Sequence, residues 1–243
     1  MARLYQERGD MAAACKWLRK EVDRNPTFGE DPNISIALAI GGITSPSRID
    51  EFVKAFPTTH PDEHSLVASV LNNHWSTFAK LHRDTKERWV TGSCLLAANA
   101  VPGAGLAVHC FAWVVERELR NTVFAPFAEH ARQHPELMGA DAGDETRILS
   151  GYLKGYGNIT LGQMFTILRR AQHPPSQLIT GFAQWLKSEH PRLPIGLRPL
   201  CTGKIINLRN REAHADMQPI TGTEAEAMAT ICRDVIDVLH RTR

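Results

Sequence analysis

Arg209, Asn210 and His214 sit close together near the C-terminal end of this 243-residue chain, and their side chains suit acid–base work on an anionic substrate. They fall in the run Ile205-Ile206-Asn207-Leu208-Arg209-Asn210-Arg211-Glu212-Ala213-His214-Ala215-Asp216. Histidine titrates near neutrality and can take or give a proton. A guanidinium grips a phosphate with two parallel hydrogen bonds and stabilises the negative charge that builds in a transition state. An asparagine beside it can orient the imidazole or the phosphate. Ala213 and Ala215 leave the imidazole uncrowded. A second arginine–histidine pair, Arg233 and His240, has a comparable spacing. It lies on a continuous stretch of helix whose apolar face is Ile231, Val235, Ile236, Val238 and Leu239, and it reads as a solvated pair on a terminal helix.

The elements that must position these groups are helices. Helical periodicity recurs nearly everywhere and strand signals are scarce, so the expected fold is all-α. Helices are expected near 2–8, 11–24, 47–55, 62–80, 84–99, 105–133, 144–154, 161–172, 175–189, 197–213 and 224–240, with a solvated loop over 136–146. Thr160-Leu161-Gly162-Gln163 and Thr223-Glu224-Ala225-Glu226 match capping boxes and place helix starts near 161 and 224. Four histidines, His60, His134, His173 and His190, each precede a proline and read as helix punctuation. Arg209 and His214 would sit where one helix ends, before Pro219 and the following turn.

Composition is ordinary for a folded chain, with 43% hydrophobic and 22% charged residues, which excludes wholesale disorder. The net charge of +2 conceals an asymmetry. From Gly155 to Arg211, Arg169, Arg170, Lys187, Arg192, Arg198, Lys204, Arg209 and Arg211 face a single acid, Glu189, so the segment carries +7 and the remainder −5. A cationic surface concentrates phosphates and steers polyanions. Five scattered cysteines without a CxxC suit a reducing cytoplasm, and the first ten residues hold no apolar run resembling a signal peptide. The stretch between Arg88 and Glu116 lacks charged residues, but Pro102-Gly103-Ala104-Gly105 should split it into two buried helices, so no membrane span is expected.

The Arg209-Asn210-x3-His214 arrangement resembles the R-x4-6-H signature of the HEPN superfamily, all-α domains that are often metal-independent ribonucleases. Asn210 matches the polar residue that usually follows the family's arginine. Val115-Glu116-Arg117-Glu118-Leu119-Arg120 is similar to the acidic stretch of the family's first core helix, with Glu116 in a supporting place. Ile159-Thr160-Leu161-Gly162-Gln163-Met164 is similar to a helix opening in larger members. The resemblance implies a HEPN-type helical domain over 75–243, with an N-terminal helical appendage over 1–74. It implies an endoribonuclease without a cofactor or metal, in a defence or toxin role. Arg209 would stabilise the phosphorane-like state, His214 would transfer protons and Asn210 would orient them. Lys204, Arg211, Arg169 and Arg170 would hold RNA. Five residues on a helix turn the chain by about 500°, so Arg209 and His214 point roughly 140° apart unless the helix end unwinds. One copy also supplies only one such histidine. Both points favour a homodimer with a composite site, as HEPN nucleases generally have. An antitoxin or sensor protein is a further partner of the kind implied. The alternative reading is a catalytically inactive HEPN-like interaction or RNA-binding module.

Residues 1–26 resemble the later part of one tetratricopeptide repeat through Tyr5, Gly9, Ala14 and Pro26, departing at Glu21. No second copy follows, and a lone repeat cannot bury its faces, so the segment reads either as a plain helical hairpin or as the tail of a longer helical-repeat region. His60/His64 and His130/His134 have the i, i+4 spacing of zinc ligands, but with no nearby cysteine they read as surface groups. The five tryptophans read as core.

Overall fold

A computed structural model describes residues 11–26, 46–98, 101–138, 144–191, 193, 204–213 and 220–241, all helices and their connections with no strand among them. The helices are α1 (Met11–Arg24), α2 (Pro46–Thr59), α3 (Pro61–His74), α4 (Arg83–Ala97), α5 (Val101–Leu119), α6 (Ala125–Gln133), α7 (Asp144–Leu153), α8 (Leu161–Arg170), α9 (Gln177–Glu189), α10 (Lys204–Ala213) and α11 (Gly222–Arg241). The chain is all-α. The expected helix over 2–8 with its turn at Gly9-Asp10, and the start of the helix expected from 197, lie outside the described residues.

Prolines act mostly as expected. His60 is the N-cap of α3 with Pro61 behind it, and His134 and His190 are the C-caps of α6 and α9. Pro102 is the second residue of α5, where its missing N–H has no helical acceptor to lose, so the helix starts before the proline rather than at 105. No helix among the described residues is long and apolar enough to cross a membrane. Two expectations are corrected. α2 continues past Ala55 through Pro57 to Thr59, whose hydroxyl donates to the carbonyls of Ala55 and Phe56 at 3.2 and 3.3 Å. The helix expected over 105–133 carries a π-turn at Arg120–Phe124, where the Ala125 N–H reaches back to the Arg120 carbonyl. The wider turn makes room for Pro126, whose ring would crowd the preceding turn of an α-helix.

The structure divides into two compact units, one from residues 1–111 with 207–230, the other from 112–206 with 231–243. In the first, α2, α3 and α4 pack on one another. The expected helix over 62–80 instead stops at His74, because Trp75 turns to an extended backbone and drops its indole into the core. Trp75, Trp89 and Phe111 form a run of ring contacts with centroids 4.7 Å apart at each step. Residues on both sides of position 74 therefore belong to one packing unit. Arg88 on α4, with only 6% of its side chain exposed, reaches Asp50 on α2 at 2.6 Å. Among the second unit's buried side chains are Phe124, Phe127 and Phe182, with ring centroids 5.5 and 4.9 Å apart, together with Val235, Ile236 and Leu239 of α11. Cys94, Cys110 and Cys232 are buried and form no disulfide, and burial pushes the Cys94 thiol up to about 12. Of the two zinc-like histidine pairs, His60 and His64 are not surface groups, whereas His134 is exposed as expected. His60 is buried and stacks on Phe56 at 4.6 Å, and burial holds both His60 and His64 below the ordinary histidine range. The rings of His130 and His134 lie 4.3 Å apart. No group of three or more metal-type ligands occurs among the described residues.

α4 lies close to α5 because Gly92 has no side chain: a Cβ there would stand 3.0 Å from both Cys110 Cβ and Phe111 Cε1. Overpacking at such a contact costs about 1–3 kcal/mol. Gly92→Ala should lower the unfolding free energy by that amount, which equilibrium unfolding would show as a lower denaturant midpoint with an unchanged m-value.

Candidate functional site

α10 carries Arg209 and Asn210. Its sequence, Lys204-Ile205-Ile206-Asn207-Leu208-Arg209-Asn210-Arg211-Glu212-Ala213, contains no glycine or proline, and Ile205 is buried. Arg209 is half-buried and Asn210 exposed; Lys204, at the first position, is also exposed. His214 follows the last helical residue and lies outside the described residues.

Arg211 is fixed. Its Nη1 and Nη2 donate to the two carboxylate oxygens of Glu224 at 2.5 and 3.3 Å, a forked ion pair between α10 and the start of α11. Glu224 also accepts from the backbone N–H of Thr221 at 2.9 Å and its hydroxyl at 3.1 Å, and the Thr221 hydroxyl in turn accepts from the Glu224 N–H at 3.2 Å. The capping box is therefore Thr221 with Glu224, two residues earlier than the expected Thr223 with Glu226. Hydrophobic register explains the shift. Ile220 before the cap and Ala225 after it are both buried, the two ends of a hydrophobic staple, whereas a box at Thr223 would flank itself with Gly222 and the exposed Ala227. First the Arg211 guanidinium and then the Thr221 backbone hold the Glu224 carboxyl below the usual carboxylate range. Because Arg209 lies two residues, about 200°, around the helix from Arg211, this clamp turns Arg209 towards the opposite side of α10. Among the described residues no acid pairs with Arg209.

Glu116 has a different setting. It is half-buried on α5, accepts from Arg120 Nη2 at 2.8 Å and from the Leu161 N–H at 3.2 Å, and so reaches the first residue of α8. Arg120 also donates to the Ile159 carbonyl at 3.0 Å. The expected capping box at Thr160 with Gln163 closes the same helix start. Arg169 and Arg170 are exposed in the last turn of α8, where the helix dipole favours cations. Ten residues of helix span about 15 Å, so the structure puts Glu116 and these arginines at opposite ends of α8 and does not gather them into one site.

His240 is not a solvated group, which corrects the expectation for that residue. His240 Nε2 lies 2.8 Å from Oε2 of Glu118, a carboxylate with none of its side chain exposed, and only 13% of the His240 side chain is exposed. Arg233 is half-buried. The sequence held the signal: His240 follows buried Ile236 by one helical turn, and Glu118 follows buried Val114 and Val115 by the same interval. Both side chains thus lie in register with core positions.

None of the family models, curated proteins or solved structures compared with the chain matches it.

Glu224→Ala should cost about 1–2 kcal/mol through the lost cap and ion pair. A carboxyl with a lowered folded pKa stabilises above its unfolded value, about 4.3, and loses that contribution as pH falls through the lower folded value. The difference in thermal midpoint between wild type and Glu224→Ala should therefore be full at pH 7 and shrink progressively below about pH 4.

Proposed function

We propose that the chain is a metal-independent endoribonuclease in which Arg209, Asn210 and His214 act on the scissile phosphate, in the kind of defence or toxin role that the HEPN resemblance implies. The observation that carries this reading is the state of α10. Arg209 and Asn210 occupy adjacent positions on a helix whose rotation is held by Arg211 and Glu224, and Arg209 is turned away from that clamp. A guanidinium that is half-buried, and not committed to an acid among the described residues, keeps its paired donors for a phosphate. Arg211 in this scheme is a positioning residue. Lys204 and the exposed Arg169 and Arg170 supply attraction for the RNA backbone.

The chemistry needs no metal. His214 takes the proton from the ribose 2′-hydroxyl as its oxygen attacks the adjacent phosphorus, and Arg209 stabilises the charge gathering on the non-bridging oxygens. A proton then passes to the departing 5′-oxygen, leaving 2′,3′-cyclic phosphate and 5′-hydroxyl ends. Two proton-transfer groups serve this sequence better than one, and a second copy of the chain would bring its own His214 to a shared site.

A second assignment of the same activity is favoured by one contact, the Glu118–His240 hydrogen bond. A carboxylate behind a histidine fixes the imidazole's orientation, as a general base requires, and Arg233 lies two turns away on the same helix face.

Variants separate these readings. Arg209→Ala and His214→Ala should each lower cleavage of a labelled single-stranded RNA by at least about 100-fold. His240→Ala should retain cleavage and lose stability. Loss of cleavage in His240→Ala, with His214→Ala fully active, moves the site to α11. RNA binding without cleavage by the wild type identifies the inactive module.

A further inference from the structure

α3 packs on both α2 and α4, yet none of its own side chains is fully buried. Its far end is anchored by Trp75, which is buried and lies 4.7 Å from the Trp89 ring. Its near end is held by two imidazoles one helical turn apart. His60, the N-cap, is buried, stacks on Phe56 of α2 at 4.6 Å and places Nδ1 2.8 Å from the Thr59 hydroxyl. The His64 ring meets the Glu87 backbone of α4, and its Nε2 is buried with no hydrogen-bond partner among the described residues. Protonation turns both nitrogens of an imidazole into donors, so a charged His64 has a buried N–H without an acceptor. Both rings also lie at the N-terminal end of α3, where the helix dipole repels a cation.

Neighbouring charges offset only part of this. Glu63 on α3 favours a proton on His60, and Glu87 on α4 favours one on His64, but burial outweighs each and holds both rings below the ordinary histidine range. Glu87 is also engaged by Arg83 at 2.7 Å, and Asp50 of α2 by Arg88 at 2.6 Å. Asp62 and His74 on α3, Glu51 and Lys54 on α2, and Lys80 and Asp84 beyond Trp75 are exposed, and Lys86 donates to the Ala79 carbonyl at 2.7 Å. We propose that His60 and His64 form an acid-sensitive latch: neutral, they hold the first turns of α3 against α2 and α4, and protonated, they release that end of the helix about Trp75. Cys94 of α4 is 3% exposed and lies beneath this end, its Sγ 3.7 Å from the Glu63 carbonyl, so release uncovers the thiol. In the released helix the imidazoles return to the ordinary value near 6.5 and bind protons that the closed helix refuses. Closure therefore weakens as pH falls below about 6.5 and stops weakening once the closed form is protonated too. The latch is independent of the ribonuclease reading, because its tests read exchange and labelling and not cleavage.

Amide hydrogen exchange of the full chain at pH 7 and pH 5, corrected for the intrinsic pH dependence of exchange, should show opening of α3 rising at least about fivefold in acid while α9 holds steady. His60→Phe keeps the stack on Phe56, and His64→Leu fills the same place without a titrating group; the double variant should open α3 equally at both pH values. Labelling of the wild type with a pyridyl disulfide, read by peptide mass, gives a test that needs no variant. A thiol ordinarily reacts more slowly in acid, so labelling of Cys94 that rises from pH 7 to pH 5 relative to buried Cys232 reports the release. Protection of α3 that is the same at both pH values overturns the proposal. So does a pH dependence that survives in the double variant, opening of α9 in step with α3, or Cys94 labelling that falls in parallel with Cys232.

Discussion

The carboxylate of Glu224 closes the first turn of α11 through Thr221 and, with both oxygens, holds the guanidinium of Arg211 on α10. A helix start has N–H groups with no partner inside the helix, and a helix packed by a few apolar contacts can still rotate about its axis. One acid answers both problems here. It satisfies the cap, and the forked geometry of an arginine–carboxylate pair fixes where α10 points. Arg209 and Asn210 inherit their directions from that contact. The rest of the candidate site depends on it, since a reacting group misplaced by an ångström forfeits much of its effect.

The second unit solves a similar problem with Glu116. That side chain leaves α5 to meet the first N–H of α8, and Arg120, four residues on at the start of the π-turn, meets both Glu116 and the Ile159 carbonyl just before the helix. In each unit an acid at a helix N-terminus gains from the helix dipole as well as from its hydrogen bonds. In each, an arginine completes the link between two elements. Glu118, two residues along α5, is different in kind: it is wholly buried and meets a histidine, the sort of polar contact that is costly to leave half-made.

Local rules in the sequence reached most of the fold. Helices, the punctuating His-Pro pairs and the Thr160–Gln163 box depend on residues a few positions apart, so period and spacing expose them. What the sequence concealed depends on distant partners or on a choice between equal local signals. Thr221 and Thr223 each precede an acid by three residues, and only the buried flanks Ile220 and Ala225 decide between them. Trp75 ends α3 because Trp89 waits for it, fourteen positions later. Glu118 and His240 are 122 positions apart, and neither residue alone announces the other. Of the candidate site, the clustering of Arg209, Asn210 and Arg211 was legible as composition, while the commitment of Arg211 to Glu224 was not.

If Arg209 and His214 do the chemistry, the reaction runs through the ribose 2′-hydroxyl and leaves a signature in its products. The most direct measurement is therefore to incubate the wild-type chain with single-stranded RNA in excess chelator and determine the product ends. Cleavage that persists in chelator and leaves 2′,3′-cyclic phosphate and 5′-hydroxyl ends is the result the account predicts. Cleavage that stops in chelator, or that leaves 5′-phosphate and 3′-hydroxyl ends, would contradict it.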